Sequence, residues 1–341
     1  MQIPFPSLSP QGQVRRLAGL ARTALAAYGV PVPRLQLLKH SYNTTFRVTA
    51  RNGDRYLLRI HPPGKAATDA VRSELLWLAA LRSDADLPVP NPVPNAEQRL
   101  VSVVTHPAVS EPRLCVLFRW MEGRFLYRGL TAAHLEQVGC LLARMQHHAA
   151  SWQRPDGFTR GRVDNLDSMQ RGPADNFDER VAAQVVRKVV SVSTPEVGDL
   201  VKAAIERVWA ALRAAEQEPN ASGLIHGDLH HWNFLFHDGA ARAIDFDDCG
   251  YGHWLYDLAV PLTALARHPR YASLRQALLA GYRQCRRLPA EQAAQLEALI
   301  ALRRIQNMLW ASGENAQPAF QEQWAISRSY DLQQLREFVD Q

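Results

Sequence analysis

The spacing of apolar positions changes character near residue 120, and the predicted elements change with it. Residues 12–28 repeat apolar side chains at helical spacing until Val30-Pro-Val-Pro33 stops them. Three strand-like runs follow, Leu35–Lys39, Thr45–Ala50 and Tyr56–Ile60. Asn52-Gly53 between the last two is a strong hairpin signal, because both residues tolerate positive φ. Pro62-Pro63-Gly64 closes that stretch, and Ala67–Leu81 reads as a helix with Leu75, Leu76, Leu78 and Leu81 toward a sheet. Leu100–Thr105 and Leu114–Trp120 add two strands. From Thr131 onward the period is helical. Thr131–Ala150 carries Leu135, Val138, Leu141, Leu142 and Met145 on one face, with Thr131 as its N-cap. Residues 152–179 break the pattern with prolines, glycines and acids at 156, 164, 167, 175, 178 and 179, and read as an irregular excursion. Further helices are predicted at Glu179–Val190, Val197–Ala215, Trp254–Arg267, Tyr271–Gln284, Ala290–Trp310 and Phe320–Val339.

Composition narrows the class without naming it. The 341 residues suffice for two domains with substantial cores, and the hydrophobic fraction of 47% is that of an ordinary globular protein. No run approaches the roughly 20 apolar residues that cross a bilayer, and Met1–Ser7 lacks a basic segment followed by an apolar one. The expectation is a cytoplasmic protein with no membrane partner. Cys115, Cys140, Cys249 and Cys285 are scattered, which predicts buried free thiols and no disulfide framework or zinc site. The net charge of +6 is carried mostly by arginine. Those arginines are dispersed and not interleaved with aromatics, so nucleic acid is not an expected partner.

The chemistry concentrates in residues 224–248. Two apolar-rich runs, Asn233–Phe236 and Ala241–Phe246, flank His237-Asp238-Gly239, a hairpin turn. Before them stands His226-x-Asp228-x4-Asn233, and after them Asp245-Phe-Asp247-Asp248. A short hairpin brings Asp228, Asn233 and Asp245 toward one end. Two carboxylates and an amide oxygen suit a hard cation such as Mg²⁺. The spacing matches phosphoryl transfer, in which one Asp orients the accepting hydroxyl while an Asn and a later Asp hold metal. A polar turn whose acids merely cap backbone groups is the plainer alternative for any one of these matches.

Taken together, His226-Gly-Asp228-Leu-His-x-x-Asn233, Ile244-Asp245-Phe-Asp247 and Tyr256-Asp257-Leu-Ala resemble the aminoglycoside phosphotransferase/choline kinase superfamily, small-molecule relatives of the protein kinases. The resemblance implies an α+β, two-lobed protein-kinase-like fold. Residues 1–120 would form a nucleotide-binding lobe with a five-stranded antiparallel sheet and one principal helix. Residues 121–341 would form a helical catalytic and substrate-binding lobe. It implies ATP and Mg²⁺ as cofactors, Asp228 as the hydroxyl-positioning base, and Asn233 and Asp245 as metal ligands meeting the triphosphate in a cleft between the lobes. Arg59 stands where the family's phosphate-contacting Lys would be, with Glu74 on the next helix as its partner. No G-x-G-x-x-G lies between the first two strands; Ser41, Asn43 and Thr44 would cap the phosphates instead. The adenine would meet backbone near Trp120, Met121 and Glu122. His226 reads as a loop brace and Asp257 as a support at a helix start.

The expected acceptor is a small-molecule hydroxyl, on an amino alcohol, amino acid, sugar or aminoglycoside-like compound. A cationic acceptor would be met by Asp247, Asp248 and the acids of 156–179, with Trp254, Asn307 and Trp310 adding stacking or hydrogen bonds. Two other readings are a bacterial protein Ser/Thr kinase and an inactive nucleotide-binding scaffold. Only eleven residues separate Asp245 from Asp257, and no Ala-Pro-Glu follows, which leaves little room for a peptide-docking segment.

Overall fold

Helix α1 (Pro10–Ala27) begins on Ser9, whose hydroxyl accepts from the amide of Gly12, and it ends before the prolines that were expected to stop it. Gly29, at φ +67°, lets Val30 donate to Leu25 and Gly29 to Ala26, which caps the last carbonyls. The structure is a computed structural model describing residues 4–30, 34–64, 68–166, 178–191, 193–216, 221–289, 292–312 and 318–341. Met1, Pro31, Val32, Pro33, Ala67, Asp167, Asp175 and Ala290, named above, lie outside them. The chain forms two units, residues 1–123 with Arg154–Thr159, and Arg124–Gln153 with Arg160–Gln341.

Among the described residues the first unit is a six-stranded antiparallel sheet with two helices; both helices were expected, but only five strands. Strands β1 (Arg34–His40), β2 (Thr44–Thr49), β3 (Arg55–Ile60), β4 (Pro92–Val93), β5 (Ser102–His106) and β6 (Val109–Arg119) run in the order β1-β2-β3-β6-β4, with β5 also on β6. The added strand β4 is two residues long, too short for its pattern to announce it. The β2–β3 turn differs from the mirror-image turn implied by Asn-Gly. Only Gly53 has positive φ (+87°), and Gly53 donates to Ala50 while Ala50 donates to Asp54, a three-residue loop with the glycine at its left-handed position.

Alternation on β3 divides its side chains between the two faces. Leu58 and Ile60 join Leu17, Leu20, Ala24 and Leu25 of α1 in one apolar cluster with Phe46, Val48 and Leu117. Arg59 turns the other way, toward helix α2 (Thr68–Ala85). On α2, Leu75, Leu78 and Leu81 are buried as expected; Leu76 is only half-buried, and Trp77 takes its place inside.

The second unit is mainly helical. Thr131 caps α3 (Ala132–Ser151) by accepting from His134, and the five apolar positions assigned to its inner face are all buried. Helices α4 (Glu179–Val190), α5 (Pro195–Glu216), α6 (Tyr256–Leu265), α7 (Tyr271–Cys285), α8 (Gln292–Ser312) and α9 (Pro318–Asp340) follow. Two small antiparallel pairs sit among them: β7 (Ser222–Ile225) with β10 (Gly250–His253), and β8 (Phe234–His237) with β9 (Ala240–Ala243). The first pair escaped the pattern because its strands are four residues each and half glycine on β10.

Helices α3 and α7 touch backbone to backbone. A Cβ on Gly139 would stand 2.0 Å from the Leu278 carbonyl oxygen, and one on Gly281 would stand 1.9 Å from that of Glu136. This approach brings Cys140 and Cys285 to a Cα separation of 5.7 Å and joins them in a disulfide. The expectation of four free thiols is thereby corrected; Cys115 and Cys249 are buried and outside the disulfide. Among the described residues no helix is long and apolar enough to cross a membrane.

Candidate active site

β7 delivers the chain at Ile225 into a loop, His226–Asn233, that β8 takes up at Phe234. The loop backbone is held from below by Asp257, in the first turn of α6 and fully buried. Its two carboxylate oxygens accept from the amides of His226 at 3.0 Å and Gly227 at 2.7 Å. Burial pushes the Asp257 carboxyl up to about 6, against the pull of those two amides. His226 braces the loop sideways. Its Nε2 donates to the Ile244 carbonyl at 3.0 Å, and its Nδ1 accepts from the Asp228 amide at 3.2 Å. A carbonyl can only accept, so the ring is the neutral Nε2–H tautomer. Burial lowers its pKa to about 4 in agreement. Gly227 stands at φ +77°, with the Asp248 carbonyl and Val163 each 3.1 Å from where a Cβ would sit. The conformation and the crowding together account for glycine where protein kinases carry arginine.

The Asp228 carboxylate is partly exposed and has partners on both oxygens. Oδ2 accepts from Asn233 Nδ2 at 3.2 Å, and His230 Nε2 lies 3.5 Å away. Asn233 Nδ2 also donates to the Asp228 carbonyl at 2.8 Å. With both amide hydrogens on Asp228, the Oδ1 of the buried Asn233 is left to act as an acceptor. Across the hairpin, Ile244 donates to the Asn233 carbonyl at 2.9 Å, so Asp245 follows directly beside Asn233. Asp245 is exposed and sits at φ +65°, a conformation costly for any residue with a Cβ and tolerated best by Asp and Asn. The turn between β8 and β9 is Asp238-Gly239, both at positive φ.

Oδ1 of Asp228 is taken by Arg303, from α8, which sequence reasoning missed. The signal available was the polar group Arg303, Arg304, Gln306 and Asn307 set among the apolar residues of α8. Its partner, however, lies 75 residues earlier in the chain, beyond any local pattern. Asn307 and Trp310 stand four and seven residues beyond Arg303, on the same stripe of α8. Asn307 is half-buried and Trp310 exposed.

Trp254 does not belong with them. It is buried, its ring is packed against Gly223 and under the Arg286 guanidinium, and it is a core residue. Nor do the described acids of 156–179 gather into a cation-binding patch. Asp164 is buried in a two-pronged pair with Arg162 and accepts from the His253 amide. Asp178 caps α4 and pairs with Arg180, and Asp156 belongs to the first unit. Asp247 and Asp248 are half-buried; Arg160 clasps this segment through the carbonyls of Asp247 and Cys249. Among the described residues no group of three or more His, Cys, Asp or Glu is placed to hold a metal.

In the first unit, Arg59 Nη2 meets Glu74 Oε2 at 2.6 Å, with the side chains 5% and 1% exposed. Ser41 and Asn43 form the β1–β2 turn, the Ser41 amide donating to the Asn43 carbonyl at 3.0 Å. Thr44 is buried at the start of β2, and its hydroxyl is engaged by His40 Nδ1 at 2.8 Å. Trp120 lies under the Arg47 guanidinium, Glu122 pairs with Arg55, and Met121 between them is half-buried.

Residues 34–295 match the model described as the phosphotransferase enzyme family. The chain is 24% identical to amicoumacin kinase of Bacillus subtilis (strain 168) over 72% of its own length and 67% of that protein's. Among solved structures it resembles a microcompartment-associated aminopropanol kinase at TM-score 0.69 and 25% identity, over 94% of this chain and 95% of that one. It also resembles the amicoumacin kinase hAmiN in complex with AMP-PNP, Ca²⁺ and Ami, at TM-score 0.71 and 19% identity over 96% of both chains. These likenesses make the fold the two-lobed α+β fold of the protein-kinase-like proteins.

Proposed function

The chain belongs to the phosphotransferase enzyme family, and from that premise we propose that it moves the γ-phosphoryl group of ATP to a hydroxyl of a small molecule. The observation that carries this reading is the Asp228–Asn233 hydrogen bond, in a loop whose backbone is fixed by Asp257 and His226. A carboxylate held this way can receive the acceptor's hydroxyl, orient it in line with the γ-phosphorus, and take its proton as the new P–O bond forms. The Oδ1 of Asn233 and the carboxylate of Asp245 are the oxygen donors a hard divalent cation prefers. We assign them to Mg²⁺, whose charge would neutralise the phosphates, with phosphate and water oxygens completing its shell.

In the first unit, the Arg59–Glu74 pair supplies a fixed guanidinium for the phosphates, and Ser41 and Asn43 offer turn amides and polar side chains. Thr44 is already engaged and drops out of that set. Backbone near Trp120, Met121 and Glu122 would receive the adenine. Residues 1–120 thus handle nucleotide, and residues 121–341 carry the chemistry and the acceptor. Of the acids of 156–179, Asp164 and Asp178 are committed to Arg162 and Arg180. The stripe of α8 bearing Asn307 and Trp310 is the acceptor wall we favour, with Asp247 and Asp248 at the loop. An ATP-dependent transferase works where ATP is held, and the cytoplasm is the compartment we assign.

ATP consumption measured against a panel of amino alcohols, sugars, aminoglycosides and a generic protein tests the reading. Phosphate is expected on a small-molecule hydroxyl. Transfer to protein alone would replace it with a protein kinase, and ATP binding without transfer to anything would leave a scaffold.

A further inference from the structure

Arg303 is the group nearest the proposed chemistry to which neither motif nor family pattern assigns a part. Its guanidinium is forked between two partners. Nη2 pairs with Asp228 Oδ1, and Nη1 donates to the Tyr256 hydroxyl at 3.1 Å. Tyr256 is fully buried and donates onward to Gln306 Oε1 at 2.5 Å. Gln306, one turn along α8 from Arg303, reaches the carbonyls of Val163 at 3.3 Å and Asn165 at 2.6 Å. The line therefore runs from the Asp228 carboxylate through α8 and α6 to the segment around residue 164, and every member is hydrogen-bonded.

A buried ion pair seldom adds net stability over apolar packing, because both charges lose water. A guanidinium fork does fix an angle, which a single ammonium cannot. Asp228 needs such fixing, since Asn233 constrains only Oδ2 and leaves the plane free to pivot about that contact. We infer that Arg303 is a positioning residue: it locks the plane of the Asp228 carboxylate, so that a free lone pair is aimed at the acceptor hydroxyl. This rests on the reading of Asp228 given above. Aim matters because displacement of about an ångström at a reacting oxygen can cost 10²-fold in rate.

The test compares Arg303→Met, Arg303→Lys and Tyr256→Phe with the wild type. It measures transfer to the best acceptor of the panel, ATP hydrolysis by water, ATP affinity and melting temperature. Arg303→Met is expected to lower kcat for transfer about 100-fold, to lower hydrolysis less, and to leave ATP affinity within about twofold. Arg303→Lys should recover part of the loss, and Tyr256→Phe, which removes one anchor of the fork and keeps the charge, should fall between it and the wild type. A shift of phosphoryl groups from acceptor to water is the signature, since a merely structural support would move neither the partition nor its rescue by lysine. Wild-type kcat and partition in a folded Arg303→Met variant would overturn the inference, as would parallel loss of kcat and ATP affinity. If the methionine variant does not fold, the other two decide on the same criteria. Wild type transferring to no acceptor at all is instead the failure of the proposed function. Hydrolysis is then the deciding rate for Arg303, and unchanged hydrolysis in the variants ends the inference.

Discussion

Two arginine–carboxylate pairs, one in each unit, look alike in composition and differ in exposure and in the distance along the chain that they span. Arg59 and Glu74 join neighbouring elements 15 residues apart and are almost fully sealed, at 5% and 1% exposure. Arg303 and Asp228 join elements 75 residues apart and stay open, at 18% and 20%. A sealed pair can only hold a charge in place. An open pair leaves carboxylate lone pairs for a third party, here Asn233 on one side and the acceptor hydroxyl proposed for the other. The first arrangement suits an electrostatic fixture and the second a reacting group.

Replacing the carboxylate by an amide in each pair is the strongest way to break that contrast. Asp228→Asn removes the proton acceptor and is expected to lower kcat by at least 10²–10⁴-fold, with KM for ATP nearly unchanged. Glu74→Gln removes the charge that Glu74 sets against the buried Arg59, at a stability cost of about 3–5 kcal/mol, and should raise KM for ATP more than it lowers kcat. Steady-state kinetics with thermal melts on both variants decide the matter. If the two respond alike, exposure does not separate the roles.

The same contrast explains how much could be read from the chain. Arg59–Glu74 was legible through the family resemblance, which sets a strand cation against an acid on the next helix, and the Asp228–Asn233 spacing was legible because a single loop spans it. Arg303 was not, since no local period links α8 to a loop 75 residues earlier. Trp254 misled for a related reason: nothing in its neighbours announces that Gly223, opposite it in the fold, leaves a slot for its ring. The helices of the second unit came through nearly residue for residue, because their apolar positions recur at a 3.6-residue period, most fully on α3. Strands β4, β7 and β10 are too short to show a period at all.

A smaller effect sharpens what the open pair rests on. The loop carrying Asp228 is braced by two buried titrating groups whose shifts oppose one another. His226, held neutral down to about 4, contributes stability that is present above its ordinary value of 6.5 and is lost as pH falls from 6.5 to 4. Asp257, raised to about 6, contributes stability that is present below its ordinary 3.8 and is lost as pH rises from 3.8 to 6. Between pH 4 and 6 the two slopes run in opposite directions and largely cancel. Asp257→Asn removes the falling limb, so the melting temperature of that variant should climb with pH from 4 to 6.5 where the wild type stays comparatively level. At pH 7 the amide can accept from only one of the two loop amides, and a several-fold loss of kcat is expected. A variant with the wild-type pH dependence would show that Asp257 does not titrate in this window.

The smallest effect on turnover is expected from the Cys140–Cys285 disulfide, which makes it the baseline for the others. It clamps α3 to α7 across 145 residues of chain, and restricting the unfolded state on that scale is worth about 2–4 kcal/mol. Neither cysteine touches the Asp228 loop, so Cys140→Ala with Cys285→Ala should lower the melting temperature and leave kcat and both KM values unchanged. Disulfides are rare where the cell is reducing, so thiol titration of the denatured protein comes first: two reactive thiols before reduction and four after it. Four at the outset would remove the crosslink from the argument. A fall in kcat would carry a different message, because one turn before Cys285 the Tyr282 hydroxyl donates to Gln146 Oε1 at 2.6 Å, and Gln146 donates to the Trp254 carbonyl at 2.9 Å. That short relay ends three residues from Asp257. Turnover sensitive to the clamp would mean that the α3–α7 seam, as well as Arg303, sets the aim of the open pair.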